Sequence, residues 1–102
     1  MLWITSSPVP VRQGQIVRVH GWVNVPRPLS GSLDGLVVFD SVGGPELGDR
    51  VRTTQGWRKL TLYRAAGQTG QLTVTFALTG LGEAWVDDLD VAVLDPEPLR
   101  PR

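Results

Sequence analysis

The sequence predicts an all-β fold, an antiparallel β-sandwich of roughly five or six strands. Apolar and polar residues alternate with a period of two in several segments, as expected for strands with one buried face. Gly- and Pro-rich turns separate these segments at intervals of about 10–20 residues. No stretch has the periodicity of an amphipathic helix. The 102 residues suffice for one small domain, which we place at residues 1–94, with a proline-rich linker or tail at 95–102.

The predicted strands cover residues 2–6, 15–25, 33–42, 57–64 and 71–79, and a last strand carries Trp85-Val-Asp-Asp88 and ends at Leu94. Residues 15–25 alternate most clearly, with four valines on the face that we expect to be buried. The same reasoning turns Leu60 and Leu62 inward in the fourth strand, and Leu72, Val74, Phe76 and Leu78 inward in the fifth. In residues 33–42, Leu36 and Val38 fall on the face that we expect to be polar, opposite Val37 and Phe39.

Composition excludes several classes of function. Ten basic residues balance ten acidic ones, so neither nucleic acid nor a membrane surface is an expected partner. Without cysteine and with a single histidine, the chain has no disulfide, no thiolate zinc site and no pair of histidine ligands. Gly43-Gly44-Pro45 breaks the pattern of a phosphate-binding loop and leads into no helix. We therefore expect no enzyme activity.

Eight side chains are predicted to share the polar sheet face and to bind a ligand there. Trp22 offers an aromatic plane, and the polar groups around it can hydrogen-bond hydroxyl groups, which is the combination that sugar recognition requires. The alternatives are a solvent-facing sheet with cross-strand Arg–Asp pairs, or a second buried layer with Trp22 in the core. The eight residues are Arg18, His20, Trp22, Asn24, Asp34, Asp40, Lys59 and Tyr63.

Four motifs follow one another along the chain: Val17-Arg-Val-His-Gly-Trp-Val23, Gly56-Trp-Arg-Lys-Leu-Thr61, Leu72-Thr-Val-Thr-Phe76 and Trp85-Val-Asp-Asp-Leu-Asp-Val91. In this order and spacing they resemble the later two-thirds of a jelly-roll carbohydrate-binding module of the galactose-binding-like superfamily. The resemblance covers residues 7–94. It implies a jelly-roll sandwich, packing roles for Trp57 and Trp85, and a non-catalytic accessory domain that binds glycan within a larger exported or cell-surface protein.

The resemblance also implies a structural calcium ion, with Asp87 as the ligand from the last strand and an acidic residue from the opening strands as another. Calcium takes about 6–8 oxygen ligands, and no matching N-terminal acid is present. The alternative is that Asp87 and Asp88 accept hydrogen bonds from the backbone or from Arg at a strand bulge.

The opening strands of such modules have no counterpart in this sequence. The domain is therefore truncated, is a reduced version, or obtains these strands from another chain. A reduced sandwich leaves an unpaired sheet edge, which proteins normally cover. This edge, together with Leu36 and Val38 on the expected polar face, favours an alternative function: a structural or protein-interaction module that forms a homodimer through its open sheet.

Overall fold

A computed structural model describes residues 2–95, apart from the side chain of Leu2. These residues form nine strands and contain no α-helix. None of them forms a helix that is long and apolar enough to cross a membrane. The strands are β1 (Leu2–Thr5), β2 (Val9–Val11), β3 (Ile16–Asn24), β4 (Leu36–Asp40), β5 (Asp49–Val51), β6 (Arg58–Ala65), β7 (Gly70–Leu72), β8 (Val74–Leu78) and β9 (Trp85–Leu94), with one 3-10 turn at Pro45–Leu47.

The strands form an antiparallel β-sandwich, as predicted. A three-stranded sheet in the order β6-β3-β9, which we call the front sheet, packs on a four-stranded back sheet in the order β1-β8-β4-β5. The short β2–β7 pair continues the β1–β8 ladder, with its register moved by one residue. The chain passes back and forth between the two sheets, so neighbouring strands are mostly distant in sequence, as in jelly rolls and Greek-key sandwiches.

The core lies between the inner faces of the two sheets. Because side chains alternate along a strand, each sheet contributes every second residue to this layer. The alternation predicted for β3, β6 and β8 is confirmed. The buried apolar side chains include Val17, Val19 and Val23 of β3, Leu36 and Val38 of β4, Leu60 of β6, and Val74 and Phe76 of β8.

Two parts of the predicted strand pattern are wrong. Residues 71–79 form two strands rather than one, because the ladder breaks at Thr73, and the short strands β2 and β5 were not predicted. In β4 the faces are exchanged: Leu36 and Val38 are core residues, whereas Val37 and Phe39 line the outer face of the back sheet. Both faces of β4 are apolar, so alternation alone carries no signal about which face is inside.

One side of the sandwich is closed by a buried ion pair. Arg64 of β6 donates from Nε to Asp40 Oδ1 of β4 at 2.8 Å, which ties the two sheets together. The backbone amides of Val42 and Gly43 donate to the other carboxylate oxygen at 3.0 and 2.9 Å, and Arg64 also donates to the Leu47 carbonyl. We call this the closed side. It holds the loop after β4 against the edge of the core.

A β-bulge interrupts the pairing of β9 with β3. His20 lies opposite Asp90, but Trp22 lies opposite Asp87, so one extra residue is accommodated at Asp88. Asp88 has φ 51, a left-handed conformation that Asp tolerates better than most residues. Because side chains alternate, the bulge exchanges the faces of all β9 residues before it. It turns Val86 inward opposite Val23 and leaves Trp85 on the outer face opposite Asn24.

The last strand, β9, ends at Leu94. Asp95, the first residue of the predicted linker or tail, accepts a hydrogen bond from Gln15 Nε2 at 2.8 Å and lies 3.8 Å from Arg12. The remainder of that segment, residues 96–102, lies outside the described residues.

Candidate functional site: the outer face of the front sheet

The outer face of the front sheet gathers most of the predicted site. The register of β6, β3 and β9 sets residues side by side in rows across the sheet. Residues directly opposite one another have Cβ atoms about 5 Å apart, so members of a row can act on one ligand. The central rows are Lys59–Trp22–Asp87, Thr61–His20–Asp90 and Tyr63–Arg18–Ala92.

Three tryptophans are exposed at one end of this face. Trp22 has 39% of its surface accessible, Trp57 49% and Trp85 56%. The packing roles expected for Trp57 and Trp85 are therefore wrong. Trp85 lies opposite Asn24 on one side. Trp57 directly precedes Arg58, the partner of Val23, so the chain brings it to the other side of Asn24.

Hydrogen bonds to the end of β3 hold the loop that carries Trp57. The Val25 amide donates to Thr54 Oγ1 at 2.9 Å, and the Thr54 amide donates to the Val25 carbonyl at 2.8 Å. Thr54 Oγ1 in turn donates to the Gly56 carbonyl at 2.6 Å. Gly56 has φ 73, a value that favours glycine. Trp57 is thus held on a fixed turn beside the sheet.

The other half of the face is polar. His20 Nε2 lies 3.0 Å from Asp90 Oδ2, and Arg18 Nη2 lies 3.8 Å from the same oxygen. Arg18 Nε has no hydrogen-bond acceptor among the described residues. A shallow depression of about 180 Å³ opens here, lined by Arg18, His20, Lys59, Thr61 and Tyr63. The side chains that line the depression carry several hydrogen-bond donors, and two of these residues, Arg18 and His20, contact Asp90.

Two predicted members do not join this face. Asp40 is fully buried on the closed side, where Arg64 and two backbone amides occupy its carboxylate, so it cannot contact a ligand. Asp34 precedes β4 of the back sheet and pairs with Arg50 at 3.4 Å. Neither lies on the front sheet, because β4, which contains Asp40 and follows Asp34, pairs with β8 and β5, not with β3.

The Asp87–Asp88 pair lies exposed at the bulge of β9. Asp87 Oδ1 accepts a hydrogen bond from the Asp88 amide at 2.9 Å, which is the backbone bond that the bulge alternative predicts. Among residues 2–95, no three His, Cys, Asp or Glu side chains come together as a metal site would require. A calcium ion on Asp87 therefore stays a prediction, and within the described residues Asp87 belongs to no group of three or more such side chains.

The prediction missed Asp90 as a member of the site. Asp90 alternates with Val91 and Val93 in the sequence, which places it on the outer face, but its contact with His20 depends on β9 pairing with β3. The exposure of Trp85 could not be predicted from alternation along the strand. If alternation is extended from Val91 and Val93 through β9, Trp85 falls on the inner face, and only the bulge at Asp88 reverses this.

Comparison with family models, with curated proteins and with solved structures gave no match for this chain. The resemblance to carbohydrate-binding modules therefore depends on the sequence motifs alone.

Proposed function

We propose that this chain is a non-catalytic carbohydrate-binding module that binds a neutral glycan on the outer face of its front sheet. In this proposal it serves as an accessory domain of a larger exported or cell-surface protein. One observation carries the proposal: Trp22 and Trp85 are exposed at one end of an open sheet face, the exposed Trp57 lies on the turn that enters this sheet, and the face continues into a row of hydrogen-bonding side chains.

The row around Trp22 has the chemistry of a sugar subsite. The C–H face of a pyranose ring packs on an exposed indole. Lys59 lies on one side of Trp22 and Asp87 on the other, so a donor and an acceptor can reach hydroxyl groups at both edges of the ring. The next row, with Thr61, His20 and Asp90, offers hydrogen-bond donors and an acceptor to a second sugar residue.

The balance of charge on this face favours a neutral ligand. Arg18 and Lys59 are opposed by Asp87 and Asp90, and Arg18 and His20 already contact Asp90. An acidic polysaccharide would meet these carboxylates, and a polycation would meet the arginine and lysine. Hydroxyl groups use donors and acceptors alike, and binding them needs no net charge.

The test is a calorimetric titration with neutral oligosaccharides chosen from a glycan array. We expect Trp22→Ala to weaken binding by about tenfold or more, because it removes the stacking surface. The matched control is Trp3→Ala, since Trp3 is also exposed, at 62%, but lies on the outer face of the back sheet. A melting curve for each variant shows whether the fold is kept.

Two results would contradict the proposal: no saccharide binding at millimolar concentrations, or equal losses for the two tryptophan variants. The alternative of a homodimeric interaction module also stays a prediction. A strictly monomeric mass by light scattering at high protein concentration would count against it.

A further inference from the structure

The side of the sandwich between the edges of β1 and β9 is open, in contrast to the closed side. β9 pairs with β3 along one edge, and no strand within residues 2–95 pairs with its other edge. β1 likewise pairs only with β8 among these residues. A narrow apolar slit runs between the two edges and reaches core residues Leu36 and Phe76. We call this region the open side.

Side chains that point inward on the open side are exposed. Ile4 lies opposite the core residue Phe76 in the ladder, yet 71% of its surface is accessible. Val86 lies opposite the fully buried Val23 and is 40% exposed, and Leu89 is 43% exposed. Inward-facing aliphatic residues are normally buried by the facing layer. Their exposure indicates that no element within residues 2–95 packs over this place.

The backbone of β9 specifies what kind of element fits. An unpaired edge of ten residues presents a row of free amide and carbonyl groups, which another strand can pair with. The front sheet has three strands against four in the back sheet. A strand added to β9 would cover the slit with every second side chain, and its backbone would satisfy the free edge.

The charge of β9 specifies the partner further. The strand carries Asp87, Asp88 and Asp90 and no lysine or arginine. Arg18 and His20 contact Asp90, whereas neither Asp87 nor Asp88 has an ion-pair partner within residues 2–95. A second copy of β9 would bring three more aspartates and no positive charge. Cross-strand pairs of opposite charge stabilise a sheet, and like charges destabilise it.

We propose that β9 is the docking edge for an extended segment of another polypeptide, in which apolar residues alternate with lysine or arginine. The segment adds to the front sheet as a fourth strand next to β9. Its apolar side chains fill the slit over Ile4 and Val86, and its basic side chains face the aspartates of the bulge. This surface meets the proposed glycan face at Asp87. Its apolar slit, with Ile4 and Val86, contains no residue of that face, so variants in the slit test this proposal without the other.

The test uses two synthetic peptides of about nine residues, a usual strand length, with valine at alternate positions in both. One peptide carries lysine at the remaining positions, and the other carries glutamate. We expect the lysine peptide to bind the chain at least about tenfold more tightly, because it opposes the charge of β9. Chemical-shift changes in a ¹H–¹⁵N spectrum should be confined to β9, β1 and the adjoining residues.

Matched variants test the contact itself. Ile4→Ser should weaken binding of the lysine peptide by about fivefold or more, because Ile4 lines the slit. Leu33→Ser is the control, since Leu33 is 84% exposed but does not line the slit, and it should change affinity less than twofold. Asp88→Asn should also weaken binding while keeping the bulge.

The proposal is overturned by any of four outcomes. These are no binding of either peptide at millimolar concentration, equal affinity for the two, shifts confined to other strands, or a free chain that is already a dimer with its β9 amides protected. The last outcome would assign the edge to a second copy.

Discussion

Asp40 is a charged residue inside an apolar core, and its neighbours explain how the core tolerates it. Both carboxylate oxygens accept hydrogen bonds, one from Arg64 and the other from two backbone amides. Gly43 is part of the same arrangement, because a Cβ there would lie 2.5 Å from Arg64 Cζ. A buried charge is costly unless it is paired and hydrogen-bonded, and here it is both.

Asp40→Ala should lower the free energy of unfolding by about 3–5 kcal/mol, because it leaves Arg64 without its partner and two amides without an acceptor. Asp34→Ala is the matched control. Its pair with Arg50 is about half exposed, so the loss should be about 1 kcal/mol or less. Urea denaturation of both variants measures the difference. Similar losses in the two would show that the Asp40 pair does not hold the closed side together.

At the scale of the strand, the sequence predicted β3 and β6 well and β4 poorly, for one physical reason. In β3, valines alternate with arginine, histidine and asparagine, so the buried face is marked by polarity. In β4, Leu36, Val37, Val38 and Phe39 are all apolar, so both faces fit the core equally. The order of strands in the two sheets decides between them, and that order depends on contacts between distant residues.

The members of the candidate site could be predicted only where alternation along a strand decides which face a residue lies on. Six predicted residues do lie on one face, because alternation places them there along two strands: Arg18, His20, Trp22, Asn24, Lys59 and Tyr63. Asp34 and Asp40 were assigned there wrongly, since the sequence does not reveal which sheet a strand joins. Alternation also places Trp57 on this face, although we expected it to pack. Asp90 and Trp85 were missed because their positions depend on the pairing of β9 with β3 and on one bulge.

The bulge in β9 places Trp85 on the outer face of the front sheet, the proposed glycan face, and a substitution at Asp88 tests this. Asp88 has a positive φ, which a β-branched residue adopts at a cost of about 1–2 kcal/mol. Asp88→Val should therefore lower the free energy of unfolding by about that amount, whereas Asp88→Asn should change it little, because Asn also tolerates this conformation. Thermal and urea denaturation provide the comparison.

If Asp88→Val is instead as stable as the parent chain, the strand has moved to a regular register, and Trp85 and Asp87 have exchanged faces with Val86. Fluorescence of Trp85 in a variant that retains only this tryptophan would then shift to shorter wavelength, as burial requires. Either result shows how one left-handed residue in β9 decides which side chains lie on the outer face of the front sheet.

At the scale of the whole molecule, the sandwich is asymmetric. Its closed side is fixed by the pair of Asp40 and Arg64. On its open side, nothing in the described part of the chain covers Ile4, Val86 and Leu89. Local stability in proteins follows buried apolar contact and paired backbone. β3 has both, with a strand on each edge and fully or almost fully buried valines. β9 has one paired edge and mostly exposed side chains.

Native-state hydrogen exchange should therefore separate these two neighbouring strands. Alternate amides of β9 point to the open edge and have no acceptor among the described residues, so they exchange without global unfolding. At low protein concentration we expect the amides of β3 to exchange at least about a hundredfold more slowly than these β9 amides. The lysine peptide should slow the β9 amides and leave β3 unchanged. Protection of β9 that rises with protein concentration would instead favour the homodimer, and equal protection of both strands in the dilute free chain would contradict an open side.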